Sequence, residues 1–500
     1  MGKAGAAGAE LGDVARALPR IKIRGWKKPA VQGTEDADCP FLRPLDGGHF
    51  RASGFNPWRL FPRSLNSGGL GRPPLSPFFV YNLRMTPLLT EPPTACYRAR
   101  DHAAASTTDY VFSQLIPYLG NKRKLLPLIG QAIDQTGVTD GLFVDFFAGS
   151  GVVSRFAKRA GFRVVANDWE PYAHILNQAS IGCNMMPPFA ALGGAHAAFA
   201  ALNAAPPVEG YVAAHLCPRS DAHPDPDTER LFFTRANGRK IDALRETIQD
   251  WQEAGRLTEG ERAVLLASLL YAVSYVSNTS GVFKGFHRGW GGATQTALYR
   301  ILSEIALRPP VLHDNGRENG AHRQDAQALA SSLRADGIEA DIAYLDPPYN
   351  QHPYGSNYHV LNTVALWDRP DIAPYTDGRN KSAIRRDWRT ERRSAYNHGT
   401  ALAAYQTLLQ TIRARHILTS YSTDGNMPLE GLLQAAAERG RLSCVTHSYK
   451  RYRVSSQRMS ARPRNVEFVL SIDTARRSTA GEAERVGEMI RAQEATPEMG

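Results

Sequence analysis

The chain has 500 residues, 43% of them hydrophobic, and a net charge of +11, enough for more than one domain and for an ordinary buried core. Its longest uncharged apolar run, Ala263 to Val276, spans 14 residues where a membrane crossing needs about 20, and no basic segment followed by an apolar stretch opens the chain. Five scattered cysteines (Cys39, Cys96, Cys183, Cys217, Cys444) without a CxxC pair argue against a zinc centre or a disulfide framework and fit a reducing cytoplasm.

In chain order, residues 1–107 are rich in Pro, Gly, Arg and Ala without a sustained period. They are expected to form a poorly structured extension, with Met85 as an alternative start. From about Tyr110 the texture becomes that of an α/β domain. Lys122 to Ala132 predicts an amphipathic helix entered through Leu119-Gly120-Asn121. Leu142 to Phe147 is a buried strand, Val152 to Ala160 a helix, and Arg163 to Ala166 a second strand ending at Asn167-Asp168. A helix follows over Glu170–Ile181, then loop-like sequence over 184–237. Helices are predicted at Arg239–Glu253 and Glu259–Val276, and a glycine-rich, aromatic and basic loop over Gly281–Gly292. Strand texture returns at Ile338–Leu345, His416–Ser420, Cys444–Tyr452 and Asn465–Ile472, and the polar sequence after Asp473 predicts a frayed tail.

Three segments carry chemistry. Ile342-Ala343-Tyr344-Leu345 ends abruptly at Asp346-Pro347-Pro348-Tyr349. Two prolines forbid helix and sheet pairing, so carbonyl oxygens, a carboxylate and a ring are presented together. That set suits a nucleobase held by its exocyclic amine. The second is Val144-Asp145-Phe146-Phe147-Ala148-Gly149-Ser150-Gly151, a strand running through small residues into a helix, where a ligand can approach the backbone. It is neither G-x-G-x-x-G, since Ser154 holds the third position, nor a phosphate loop. Asp168, at the end of the next strand, suits either a ribose diol or the cap of the helix beginning near Pro171. The third is Tyr118-Leu119-Gly120-Asn121-Lys122-Arg123-Lys124. Three cations at a helix start oppose its dipole and call for an anion nearby.

In this order the three segments resemble the DNA adenine methylase family, the S-adenosylmethionine-dependent enzymes with a D-P-P-Y signature, over about residues 110–472. The resemblance implies a Rossmann-like methyltransferase domain with an inserted, mostly helical target-recognition region. The boundaries expected are 108–183 for the cofactor motifs, 184–310 for the insert, 311–472 for the catalytic part and 473–500 for a flexible tail. It implies that Tyr118 and Lys122 contact the aminoacyl end of S-adenosylmethionine and that Asp145, Gly149 and Gly151 shape its methionine pocket. Asp168 would bind the ribose, and Asp346, with Pro347 and Tyr349, would face the target base. Family members often carry Trp where Tyr118 stands and Gly where Asn121 stands.

The implied reaction is adenine-N6 methylation of double-stranded DNA without a covalent intermediate. The base is flipped, and Asp346 and the Pro347 carbonyl accept its amine protons while Tyr349 stacks on it. A cognate restriction endonuclease is a candidate partner; neither a metal nor a membrane is expected, and His352 and His359 are read as hydrogen-bonding residues. Lys284, His287, Arg288 and Trp290 mix cations with rings as a DNA-facing loop would, although Trp290 and Trp367 suit a core equally well. The basic segments 379–393, with seven Lys/Arg against two acids, and 450–464, with six and none, suit phosphates or plain solvation. Cytosine-N4 or RNA amino methylation, and a non-catalytic DNA-binding relative, stand as alternatives; Asp before Pro-Pro-Tyr favours adenine.

Overall fold

The computed structural model describes residues 109–349, 351, 353–375, 379–387, 391, 393–450 and 464–495. The expected N-terminal extension with Met85, His352, and most of the basic segment 450–464 lie outside the described residues.

Helix α1 (Leu126–Thr136) follows a 3-10 turn at Lys122–Leu125. Then come β1 (Leu142–Asp145), α2 (Val152–Arg159), β2 (Arg163–Asn167) and α3 (Pro171–Asn177). The insert contributes α4 (Ala195–Ala204), α5 (Tyr211–Leu216), α6 (Arg235–Glu253) and α7 (Glu259–Val276). The chain returns through β3 (Gly320–His322), α8 (Ala326–Ala335), β4 (Ala340–Leu345), α9 (His359–Leu366), α10 (Ala401–Thr411) and β5 (Ala414–Ser422). It closes with α11 (Leu429–Arg439), β6 (Arg441–Lys450), β7 (Arg464–Asp473) and α12 (Glu482–Ala495).

The seven strands form one sheet in the order β3-β2-β1-β4-β5-β7-β6, parallel except for β7. Helices cover both faces, which is why the inner strands read as nearly unbroken apolar runs. Alternate residues serve opposite faces. Phe143, Val164, Ile342 and Leu418 pack with Ile129 and Ile133 of α1 and Val153 of α2. Val144, Val165, Ala343 and Ile417 pack with Leu329, Leu408 and Leu432 of α8, α10 and α11. A one-residue slip in register would exchange these sets, so the pattern fixes it.

The insert shares a third core with α3 and α9: Phe199, Leu244, Leu265 and Leu269 meet Tyr172, Leu176 and Val360. Its long helices are pinned at their starts. Thr258 and Glu261 form a reciprocal capping box on α7, and the Thr234 hydroxyl accepts from Asn237 N on α6. Helix α7 is apolar around most of its circumference because it is buried on all sides. No helix among the described residues is long and apolar enough to cross a membrane.

Two expectations need correction. Residues 184–237 hold helices α4 and α5, a 3-10 turn at Ala190–Leu192 and the start of α6 rather than loop alone. The Ala-rich run of α4 is a strong helix former, but it buries only Ala198, Phe199 and Leu202, too few for a visible stripe. The tail is not frayed over 482–495: Ala483, Gly487 and Ile490 of α12 face inward, and the helix packs on α11 and β6.

Candidate active site

In an open α/β sheet, ligands bind beyond the carboxyl ends of the strands where the strand order reverses. Here that point lies between β1 and β4. Asp145, the last residue of β1, is paired with Tyr344, so Asp346 emerges just beyond it on β4. Pro347 and Pro348 then prevent the strand from continuing. On the β1 side the chain turns sharply into α2. Gly149 and Gly151 adopt φ of 51° and 80°, in the left-handed region that side chains resist. At Gly149 a Cβ would lie 2.8 Å from the Tyr118 ring, so the close approach of that ring requires glycine. At Gly151 a Cβ would lie 2.5 Å from Asn177 Oδ1.

Lys122 reaches this point from the turn before α1. Its side chain is nearly sealed from water, and its Nζ lies 3.0 Å from the Asp346 carboxylate. It also donates to the Tyr349 hydroxyl and stands 4.5 Å from the centroid of that ring. The anion that the cation-rich helix start calls for is therefore Asp346. Burial alone would lower the Lys122 ammonium, but the Asp346 and Glu467 charges outweigh it and hold it above its ordinary range. Burial pushes the Asp346 carboxyl up, and Lys122 pulls it back. Gly120 supplies the left-handed residue of the turn (φ 73°), while Asn121 caps it by accepting from Arg123 N at 2.8 Å. A second glycine at Asn121 is not needed.

Asp145 accepts from Ser154 Oγ at 2.6 Å and from Phe147 N at 3.3 Å. Burial raises its carboxyl to about 7 against the pull of the Ser154 bond. Each oxygen of Asp168 accepts one backbone N–H at 2.9 Å, from Gly149 and from Glu170. Asp168 thus ties the glycine turn to the residue that precedes α3, although no side chain caps that helix. A carboxylate has about four lone-pair sites, so acceptor capacity remains toward the cleft. Burial lifts Asp168 to about 6, opposed by those two bonds.

These groups open into a cleft of about 770 Å³ lined by Tyr118, Asp168, Trp169, Asp346, Pro347 and Tyr349, among others. A smaller cavity of about 280 Å³ adjoins it, lined by Lys122, Asp145, Gly149 and Asp346. Of the residues expected from sequence, only Gly151 stays off both walls, serving at the head of α2. Tyr118 stacks on Tyr354 and Tyr358, each with centroids 5.2 Å apart. The Tyr358 hydroxyl accepts from Leu119 N at 2.7 Å, and the Tyr354 hydroxyl donates to Leu119 O at 3.0 Å. Both tyrosines fix the turn that delivers Lys122.

Comparison with known proteins bears on the same elements. Residues 118–381, more than half of the chain, match the D12 class N6 adenine-specific DNA methyltransferase family. The chain belongs to this family. It is 30% identical to the type II methyltransferase M.NlaIII of Neisseria lactamica over 67% of its own length and 92% of the relative's. It is 30% identical to the modification methylase StsI of Streptococcus sanguinis over 64% of this chain and 46% of that protein. With the LlaI modification methylase of Lactococcus lactis subsp. lactis it shares 29% identity over 71% and 54% of the two chains. It therefore spans about half the length of the StsI and LlaI methylases.

In this D12 family member the remaining sequence candidates divide. Trp367 is a core ring, 7% exposed, with the Arg245 and Arg369 guanidinium groups over its faces. Trp290 is half-buried and donates to Asp221 O at 3.0 Å. Arg288 is exposed and paired with Asp227 at 2.5 Å. Buried His359 bonds through Nε2 to the Phe283 carbonyl, and burial lowers its imidazole to about 4. Among the described residues no group of three or more His, Cys, Asp or Glu could hold a metal ion.

Proposed function

We propose that this chain is a site-specific DNA adenine-N6 methyltransferase that transfers the methyl group of S-adenosylmethionine to a flipped adenine, as the modification component of a restriction-modification system or as an orphan methylase. The observation that carries this is the meeting of Asp346 with Tyr349 and Asp168 in one cleft and with the Gly149 turn in the cavity that adjoins it, in a chain of the D12 family.

The lining suits S-adenosylmethionine. Asp168 keeps acceptor capacity for a ribose diol, Tyr118 and Phe147 offer ring faces, and Lys122 offers a cation for a carboxylate. When bound, that molecule supplies an electrophilic methyl group on a sulfonium. The chain's own residues prepare the nucleophile. An exocyclic amine is weakly nucleophilic because its lone pair is delocalised into the purine. In this reading Asp346, paired with Lys122, and the Pro347 carbonyl accept hydrogen bonds from the two amine N–H groups and draw the nitrogen toward tetrahedral geometry. Tyr349 is placed to stack on the base, and the Pro-Pro bend keeps these groups in fixed relation, so positioning contributes much of the rate. Flipping costs a few kcal/mol, which stacking and amine contacts offset. The helical insert would read the DNA sequence.

The test incubates the full chain with labelled S-adenosylmethionine and unmethylated DNA, then digests the DNA to nucleosides. Label in N6-methyladenine is expected. Label in N4-methylcytosine, or transfer to RNA alone, would replace the substrate assignment. DNA binding without any transfer would make the chain a non-catalytic relative. Single-molecule sequencing of DNA from expressing cells would give the site, and protection of that site against a co-encoded endonuclease would establish the modification role.

A further inference from the structure

We propose that the segment Ser394–Asn397 forms a third wall of this cleft, with Tyr396 holding the nucleoside half of the methyl donor. The proposal rests on the methyltransferase reading above and adds to it residues outside the three sequence motifs.

Ser394, Tyr396 and Asn397 line the large cleft together with Asp168, Trp169 and Asp346. They are absent from the lining of the smaller cavity that holds Lys122, Asp145 and Gly149. The segment therefore faces the Asp168 end of the site and not the end where an aminoacyl group would meet Lys122. The Tyr396 ring stands edge-on to Phe147, centroids 5.2 Å apart at 83°. Phe147 follows β1. Asp325, which caps α8 just after β3, lines the same cleft as Tyr396. Strand β2, which ends at Asp168, lies between β1 and β3. Tyr396 thus spans the ends of β1 and β3 across from Asp168. A nucleoside whose diol rests on Asp168 would have its base between the Tyr396–Phe147 pair and the Trp169 side. A flat ring at this place suits a purine.

The wall is built as a fixed element. Ala395–Asn397 is a 3-10 turn whose Ser394 Oγ accepts from Tyr396 N at 3.2 Å, and Thr400 Oγ1 donates to Ala395 O at 2.8 Å. Asn426 then ties it to the catalytic turn. Its backbone N–H donates to Tyr349 O at 3.2 Å, and its side-chain amide donates to Tyr396 O at 3.3 Å. The same β5–α11 turn is anchored by Met427 N donating to the Tyr421 hydroxyl at 2.9 Å, and Tyr421 packs edge-on to Tyr349 at 5.4 Å. Asn426 is accordingly a positioning residue that links the nucleoside wall to the ring expected to face the target base.

The test measures binding of S-adenosylhomocysteine to the full chain by calorimetry, alongside steady-state kinetics, for Tyr396→Ala, Tyr396→Leu, Tyr396→Phe and Asn426→Ala. Tyr396→Ala is expected to weaken binding about tenfold and to raise the KM for S-adenosylmethionine in step, with the KM for DNA within about twofold of wild type. Tyr396→Phe should behave as wild type, because the ring and not the hydroxyl forms the wall, and Asn426→Ala should weaken binding a few-fold. Because Tyr396 is only 6% exposed, Tyr396→Leu keeps bulk without a flat ring and decides the matter if the alanine variant melts early. Folded Ala or Leu variants that bind like wild type, or that change only the KM for DNA, overturn the proposal and leave the methyltransferase reading standing. A wild-type chain that does not bind S-adenosylhomocysteine overturns both.

Discussion

Lys122 Nζ stands 3.0 Å from the Asp346 carboxylate, with the lysine sealed from water and the aspartate half-buried at the cleft. Each group makes the other's charge tolerable in a buried place, and the pair joins the turn before α1 to the end of β4. A carboxylate held in this way is an acceptor ready for an amine. Asp346→Ala should reduce methyl transfer by a factor on the order of 10³, as loss of one preorganised electrostatic contact does elsewhere. Tyr349→Ala should be less severe and should act mainly through DNA-dependent parameters. Transfer of label from S-adenosylmethionine checks both, and turnover retained in the Asp346 variant would remove that residue from the chemistry.

Removing the cation tests the electrostatics separately. Burial raises the Asp346 carboxyl and Lys122 lowers it, so Lys122→Met leaves the raising effect unopposed. The carboxylate form would then be reached only at higher pH. The acid limb of the pH–rate profile should move upward in the variant, and an unmoved limb would contradict the assignment. Breaking a buried pair also costs stability, here on the order of 3 kcal/mol. Lys122→Met combined with Asp346→Asn should regain most of the melting temperature and none of the activity.

Asp145 makes a prediction about stability rather than rate. Burial raises its folded carboxyl to about 7, far above the unfolded carboxylate range. For such a raised group the contribution to stability is fully present below the unfolded pKa and is lost as pH climbs through the folded one. In Asp145→Asn that loss is absent. The melting temperature of the variant minus that of wild type should therefore increase from about pH 4 to about pH 7 and level off above it. A difference that stays constant with pH would show that Asp145 does not titrate in this window.

Gly149 presents a steric test. Its φ of 51° and the 2.8 Å approach of a would-be Cβ to the Tyr118 ring mean that Gly149→Ala must push that ring or the turn. The left-handed backbone adds about 1 kcal/mol or more to the cost. Displacement of Tyr118 also disturbs its stacks on Tyr354 and Tyr358, so cofactor affinity should fall more than stability does. Calorimetric binding of S-adenosylhomocysteine together with thermal melting separates the two effects.

The parts of this site that could be read from the sequence are those with a local physical signature. A buried strand that stops at Pro-Pro is visible without a structure, and so is a strand entering a helix through Gly149-Ser150-Gly151. What stayed hidden depends on contacts between distant segments. Tyr358 reaches Leu119 across 239 positions, a contact that no local pattern announces. Ser394–Asn397 carries no motif, and its place at the cleft arises only once α10 has packed beneath the sheet. Strand β3, three residues Gly-Ala-His, has no apolar pattern because it is an edge strand. Helices α8, α10 and α11 bury narrow stripes among Ala, Gln and Arg. They follow from the need to cross between parallel strands more than from their own periodicity.

The last prediction concerns the long basic leader. Among the described residues, every one placed at the cleft lies at Tyr118 or beyond, and the first described contacts to the domain come from Tyr110, whose hydroxyl donates to Ser180 O at 2.7 Å. Arg155 Nη1 donates to Ser113 O at 2.6 Å, which fastens the same stretch to α2. A chain lacking residues 1–105 keeps these attachments, whereas one lacking residues 1–115 loses both. The shorter deletion should therefore leave methyl transfer within about twofold of the full chain. The longer one should lower the melting temperature, because Tyr110 and Val111 leave the core shared with Val152 and Ile181 unfilled. Measuring transfer and melting on the two deletions side by side checks this. A large loss of activity in the shorter one would assign the leader a role in DNA binding that its composition, rich in arginine and proline, would then have to explain.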